Sequence, residues 1–327
     1  TGRTVWRYQR NLPDKLQPCC GRVNRGFAIL GDRLFMATLD AHIIALDTKT
    51  GNLLWDVTAA DYRQAYTFTV APLVVKNAVI VGVSGGEYGV RGFIDAYDAA
   101  TGRRLWRFST VPGPGEPGHE TWAGDTWKVG GTPAWITGTY DPDLNLLYWP
   151  TGNPSPSNYG GERSGDNLYS NSMLALDPDT GKLKWHYQFT PHDLYDYDAT
   201  QIPVLLDATW DGRPRKLLVQ ANRNGFLYVL DRVDGTFLSA KPFGNVTWAT
   251  AIDAKGKPVL NTDLKPGPDG TRVCPAAGGL TNWYSPSYSP ATQLLYVATS
   301  NECDVFSSSP QPYRAGHDFL GSVYVPE

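Results

Sequence analysis

An all-β fold assembled from repeated blades, a β-propeller, is predicted by three features of this 327-residue sequence. Short β-branched and aromatic runs recur along it, a turn-plus-tryptophan unit repeats, and apolar residues rarely fall at helical spacing. The runs occupy 27–30, 33–37, 42–46, 78–83, 146–149, 216–220, 226–230 and 293–298, and most are bounded by Gly, Pro, Asn or Asp, the pattern of many short strands. The repeat is apolar-Asp-x-x-Thr-Gly-x-x-x-Trp, present as ALDTKTGNLLWDV, AYDAATGRRLWRF and ALDPDTGKLKWHY. A degraded copy, VLDRVDGTFLSAK, carries Ser239 in place of Trp, and the stretch from Thr1 to Trp6 matches the tail of another unit. The turn glycines Gly2, Gly51, Gly102, Gly181 and Gly235 are 49, 51, 79 and 54 residues apart. A period near 50 with several strands per unit describes propeller blades. The repeated Trp is expected to pack between neighbouring blades, and the 79-residue unit to carry an insertion at 111–128. Both ends fall inside the repeat, with Tyr-Val-Pro-Glu at 324–327 opening another blade edge. The expected unit is therefore one incomplete propeller domain, 1–327, of roughly five blades from a larger ring.

Composition narrows the function. With 29 Lys+Arg against 32 Asp+Glu the net charge is −3, which argues against a nucleic-acid partner. No apolar run approaches the ~18 residues of a membrane span, and the opening residues are not a signal peptide, so an export signal is expected outside this sequence. Four cysteines with no Cys-x-x-Cys pair favour an oxidising compartment over zinc. Adjacent Cys19 and Cys20 are either two reduced core thiols or a disulfide. A disulfide there would span Cα atoms about 3.8 Å apart, below the usual ~4.4–6.8 Å, and such bonds are expected at functional places.

Further chemistry lies in three segments. Ser84-Gly85-Gly86-Glu87 follows a strong β run; small residues let the backbone approach a flat ligand, and Glu87 would deliver a carboxylate there. Trp135 follows a Gly-rich bend, and Asn153 sits in Thr-Gly-Asn-Pro. Asp193, Asp196 and Asp198 lie close to His192, which is read as structural. If 196–198 is extended, Asp196 and Asp198 point to one face, an arrangement that is costly without a cation between them. Oxygen ligands from Glu, Asn and Asp suit a hard cation such as Ca²⁺; the alternative is a solvated acidic loop.

The motifs CCGRVNRG, TVAPLVVKN…SGGEYGVRG, TGNP, TPHD-x-x-D, ANRNGFLYVLDR and the later cysteines ending in PYRAG occur in an order that resembles the pyrroloquinoline quinone (PQQ)-dependent methanol/ethanol dehydrogenases. The resemblance spans nearly the whole chain. It implies an eight-bladed propeller that holds PQQ above a metal ion, in a periplasmic enzyme that oxidises primary alcohols and passes electrons to a cytochrome c-type acceptor; it allows a homodimer. On this resemblance Cys19–Cys20 forms a vicinal disulfide against one face of PQQ and Trp135 stacks on the other. Arg25, Thr69, Ser84, Gly85 and Gly86 bind its carboxylates and carbonyls, Arg223 lies by the reactive oxygens, and Asn282 contacts the cofactor. Glu87, Asn153 and Asp196 meet the metal, Asp196 also being the general base, and Cys274–Cys303 is a structural bridge. Pro133 departs from the hydroxyl or amide of many relatives.

The resemblance also bears on the metal. Calcium-using relatives carry a small uncharged residue two places after the base, lanthanide-using ones an Asp; Asp198 therefore favours a trivalent lanthanide as a fourth ligand and third carboxylate, with Ca²⁺ the alternative. One more anionic oxygen adds repulsion that a trivalent ion offsets better. The rival readings are a non-catalytic propeller scaffold, like outer-membrane assembly lipoproteins, or an inactive fragment. A scaffold needs the turn-and-Trp units but neither adjacent cysteines nor the Glu87/Asn153/Asp196 set.

Overall fold

The Asp that opens each repeat is what closes its turn. In the computed structural model, which describes residues 2–322 and 324–326, Asp47 Oδ1 accepts from the N–H groups of Lys49 and Thr50 at 2.9 and 2.7 Å. Asp98 does the same for Ala100 and Thr101 at 3.1 and 2.8 Å, and Asp177 for Asp179 and Thr180 at 3.0 and 3.1 Å. These are Asx turns, and the following glycines, Gly51, Gly102 and Gly181, take φ of 73°, 72° and 69°, where a side chain is disfavoured.

Each turn joins the last two strands of a four-stranded antiparallel sheet. The first blade is β1 to β4 (Ala28–Leu30, Arg33–Ala37, His42–Asp47, Leu53–Thr58), the second β5 to β8 (Leu73–Val75, Ala78–Gly82, Phe93–Asp98, Arg104–Ser109). The third is β9 to β12 (Thr139–Asp141, Leu146–Pro150, Ser172–Leu176, Leu183–Gln188), the fourth β13 to β16 (Val204–Trp210, Arg213–Ala221, Phe226–Asp231, Phe237–Pro242). Smaller sheets follow: β17–β18 (Ala249–Ile252, Pro258–Leu260), β20–β21 (Ser287–Ser289, Leu294–Tyr296), and β19 (Thr271–Val273) with β22 (Asp304–Phe306) and β23 (Tyr324–Pro326). The all-β propeller architecture is as the repeat predicts, with four complete four-stranded blades among the described residues. Thr1 of the first repeat tail and Glu327 of the last blade edge lie outside the described residues. No helix among the described residues is long and apolar enough to cross a membrane.

The insertion expected at 111–128 is only part of the extra length in the third repeat. That length is divided between 110–138, which leads into β9, and 151–171, which joins β10 to β11. The equivalent β2–β3 and β6–β7 connections are much shorter. The second excursion is invisible to a spacing argument, which locates surplus residues only to the repeat.

Each tryptophan rests on the next blade's turn glycine. A carbon added to Gly51 would meet Trp6 at 2.6 Å, to Gly102 Trp55 at 2.8 Å, to Gly181 Trp106 at 2.6 Å and to Gly235 Trp185 at 2.6 Å. Three indoles also donate across the seam, Trp6 to Thr48 O (2.9 Å), Trp55 to Ala99 O (3.2 Å) and Trp106 to Pro178 O (2.9 Å). After the fourth blade, where Ser239 replaces Trp, the Phe237 ring takes the place against Gly256. Replacing Trp106 by alanine removes both the packing and the bond. We expect a loss of about 3–5 kcal/mol in stability, read as a lower urea midpoint with an unchanged m-value.

Candidate active site

In a sheet whose strands run in order, the start of the first strand lies beside the end of the second; Ala28, at the start of β1, faces Phe35 near the end of β2. The segment entering each blade and the loop between its second and third strands therefore emerge at one end. Most of the predicted site residues fall in these two classes. Cys19, Cys20 and Arg25 precede β1, Thr69 precedes β5, Trp135 precedes β9, and Asp196 and Asp198 precede β13. Ser84 to Glu87 lie between β6 and β7, Asn153 between β10 and β11, and Arg223 between β14 and β15.

These loops enclose a cavity of about 450 Å³. Cys19, Cys20, Arg25, Thr69, Ser84, Gly85, Glu87, Trp135, Asp196, Asp198, Arg223 and Asn282 all line it. Gly86 and Asn153 stand against its wall instead: a carbon on Gly86 would meet the Pro133 ring at 2.8 Å and Asn153 Oδ1 at 3.1 Å. Sequence reasoning missed Val23, Tyr88, Ser157, Trp283, Asp318 and Leu320, which also line it. Trp283 adjoins Asn282 and could have been taken with it. Asp318 and Leu320 arrive from a segment with no repeat signature, held in place where Phe319 N–H donates to Glu87 O (2.7 Å) and Asn158 N–H to Leu320 O (2.8 Å).

All four cysteines are bonded, Cys19 to Cys20 with Cα atoms 3.8 Å apart and Cys274 to Cys303 with Cα atoms 4.4 Å apart. The sulfurs of Cys19 and Cys20 and a carboxylate oxygen of Glu87 lie within 4.8 Å of one another. Across the cavity the Arg25 guanidinium sits 4.7 Å over the Trp135 ring and donates to Thr69 O at 3.2 Å. Burial lowers its pKa. Thr69 Oγ1 and Ser84 Oγ are 2.8 Å apart.

The condition that 196–198 be extended is not met at Asp196. Asp196 has φ 61°, because the Asp193 carboxylate gathers the N–H groups of Tyr195 and Tyr197 at 3.0 and 2.8 Å and turns the chain between them. Asp196 and Asp198 nonetheless face one cavity. Asp198 is fully engaged there: it accepts from Asn153 N–H (2.8 Å), Trp135 Nε1 (3.2 Å) and Arg223 (2.6 Å). Gly152 makes room for it, since a carbon there would collide with Asp198 Oδ1. Arg223 also reaches Asp196 at 3.2 Å and is held by its Nε donating to Ala277 O at 2.7 Å. The His192 ring donates from Nδ1 to Gly165 O (2.9 Å) and does not line the cavity.

The electrostatics call for positive charge. Burial, reinforced by the Asp198 carboxylate, pushes Glu87 up to about 7. Burial also raises Asp196 well above the carboxylate range; Arg223 opposes this, while Asp198, Glu87 and Asp193 add to it. Asp198 is raised by burial against the pull of Arg223. Among the described residues, buried Asn153 Oδ1, Asp196 Oδ1 and Arg25 Nε have no hydrogen-bond partner, an uncommon state for buried polar atoms. Unpartnered oxygens among crowded carboxylates fit a hard cation, and the Arg25 guanidinium fits an anionic planar group.

A model of the PQQ-type glucose/ethanol/alcohol dehydrogenase β-propeller domain matches residues 1–240. The quinohemoprotein alcohol dehydrogenase ADH IIB of Pseudomonas putida is 45% identical, over 98% of this chain and 48% of its own length. The lanthanide-dependent methanol dehydrogenase of Methylacidiphilum fumariolicum (strain SolV) is 41% identical, over 97% of this chain and 56% of its own. The structure of a europium-containing methanol dehydrogenase superposes with a TM-score of 0.94 at 39% identity, covering 98% of this chain and 60% of that one. The chain spans about half the length of the curated relatives it matches. By its blade repeat, its cavity residues and these similarities, the chain belongs to the PQQ-dependent alcohol dehydrogenase β-propeller family.

Proposed function

We propose that the intact protein is a periplasmic quinoprotein that oxidises a small primary alcohol to the aldehyde and passes electrons to a cytochrome c-type acceptor, with residues 1–327 forming one cofactor-binding propeller domain. The observation that carries this reading is the convergence of the Cys19–Cys20 disulfide, Trp135, Arg25, Arg223 and the carboxylates of Glu87, Asp196, Asp198 and Asp318 on one cavity. A propeller acting only as a scaffold would leave that convergence without a purpose.

In this reading Cys19–Cys20 and Trp135 frame a slot for a flat cofactor, with Arg25, Thr69 and Ser84 as hydrogen-bonding groups and Asn282 at its edge. Gly85 and Gly86 keep the backbone close: a carbon on Gly85 would strike Ala65 O at 2.5 Å. Glu87, Asn153, Asp196 and Asp198 would hold the metal. PQQ supplies a quinone that accepts hydride, and the metal supplies Lewis acidity. Asp196, half-buried and with one oxygen unpartnered, takes the substrate hydroxyl proton. Arg223 steadies the charge on Asp196 and Asp198 while its own position is fixed by Ala277.

Asp198 favours a trivalent lanthanide over Ca²⁺, because four carboxylates (Glu87, Asp196, Asp198 and Asp318) against two arginines (Arg25 and Arg223) leave an excess of negative charge around the cavity. Two similar proteins carry lanthanide dependence or europium in their names. The test is an absorption titration of the intact apo-protein with PQQ, together with La³⁺ or with Ca²⁺. A saturable spectral change at one PQQ per chain, tighter with La³⁺, is expected; no change with either metal refutes the assignment.

A further inference from the structure

Arg163 is fully buried, yet all its hydrogen bonds go to uncharged oxygens. It donates to Pro156 O (3.1 Å), Ser157 O (3.4 Å), Asn167 Oδ1 (2.8 Å) and the backbone carbonyl of Asp193. Burying a cation without an ion pair is expensive, and burial does lower this guanidinium, to about 10, with the Asp193 charge working the other way. It stays charged at neutral pH. A planar fork with five donors can join carbonyls from separate loops as an ammonium cannot. Here it joins the loop that follows Asn153 to the loop that precedes Asp196.

Asp193 completes the connection. It is 1% exposed and absent from the cavity wall, and its two oxygens accept from Tyr195 and Tyr197 N–H, the amides on either side of Asp196. Asp196 holds φ 61°, a conformation that residues other than glycine rarely adopt and that persists only where neighbours enforce it. The enforcing group is the Asp193 carboxylate.

We propose that Arg163 and Asp193 are positioning residues: the guanidinium fixes the separation of the Asn153 and Asp196 loops, and the Asp193 carboxylate aims Asp196 into the cavity. This rests on the functional reading above for its consequence, while the geometry it invokes is independent of any bound group.

The test uses the intact protein. Hydrogen–deuterium exchange of the wild type should find the Tyr195 and Tyr197 amides protected although they lie in no strand; free exchange there overturns the proposal without a variant. Asp193→Asn keeps the volume but leaves only one accepting oxygen, so one of the two amides loses its partner. It should speed exchange across 193–198 while β10 and β11 are unchanged. With PQQ present, Eu³⁺ luminescence titration of Asp193→Asn and of Arg163→Lys should give affinity lower by about 10–100-fold. At saturating metal, kcat should fall with the alcohol KM roughly unchanged, a split that general destabilisation would not produce. Wild-type exchange and affinity in a folded Asp193→Asn refute it. If the wild type itself takes up neither PQQ nor Eu³⁺, the functional reading fails and the exchange data still decide the positioning role.

Discussion

Asp196→Asn in the intact protein should reduce alcohol turnover by about 10²–10⁴-fold, the range that general bases supply, without lowering the melting temperature. Asparagine fits the same space and tolerates the left-handed backbone at this position. It can still accept from Arg223 through its amide oxygen and relieves repulsion from Asp198 and Glu87, so the fold should change little. What it removes is the charge and the ability to take a proton, at the residue whose Oδ1 has no partner. Asp193 cannot substitute, because both its oxygens are occupied by backbone N–H groups. Steady-state assays at saturating PQQ and metal decide it: activity within about tenfold of wild type would move the base away from Asp196.

The second large effect is expected at Asp198. Alanine there strips a hydrogen-bond acceptor from Asn153 N–H, Trp135 Nε1 and Arg223 together. Removing one partner of a buried ion pair costs about 3–5 kcal/mol, so the melting temperature should fall clearly. Activity reconstituted with La³⁺ should be lost, while any activity with Ca²⁺ should suffer less, because the lost carboxylate is the one a trivalent ion needs most. Parallel reconstitution of wild type and Asp198→Ala with each metal measures this. Equal activity with both ions, unaltered by the substitution, would leave calcium as the metal.

The blades were legible because their chemistry is local. Asp47, Thr50 and Gly51 make a turn from residues within five positions, and the same three residue types recur at Asp98 and Asp177, so the pattern announces itself. Much of the cavity lining was legible through the order of its motifs and the family they resemble; the structure adds that Thr69, Trp135 and Asp196 precede the first strands of successive blades, as Ser84, Asn153 and Arg223 follow their second strands. Three features were not legible. The turn at Asp196 is imposed by the Asp193 side chain, which a strand-period argument ignores. The excursion at 151–171 is held by buried Arg163, whose partners are carbonyls and leave no residue-type signature. Asp318 and Leu320 reach the cavity by long-range closure, with contacts to Glu87 and Asn158 that no spacing encodes.

The indole seams between blades are unequal, and each is held by its own set of polar contacts. Trp185 packs on Gly235 like its counterparts, but its buried Nε1 has no acceptor among the described residues, and its turn carries Asp234 where the others have Thr. In a stack where each unit holds only its neighbours, stability is a sum of separate junction energies. At the junction of the third and fourth blades the missing indole bond is offset by Tyr148 Oη donating to Arg232 O (2.7 Å) and by the buried Arg232–Asp141 ion pair (2.6 Å). This is also the junction spanned by Asp196 and Asp198 on one side and Arg223 on the other. The contacts that hold this seam closed therefore also keep the two acids against their arginine, so a substitution at Arg232, outside the cavity, should loosen the site from behind.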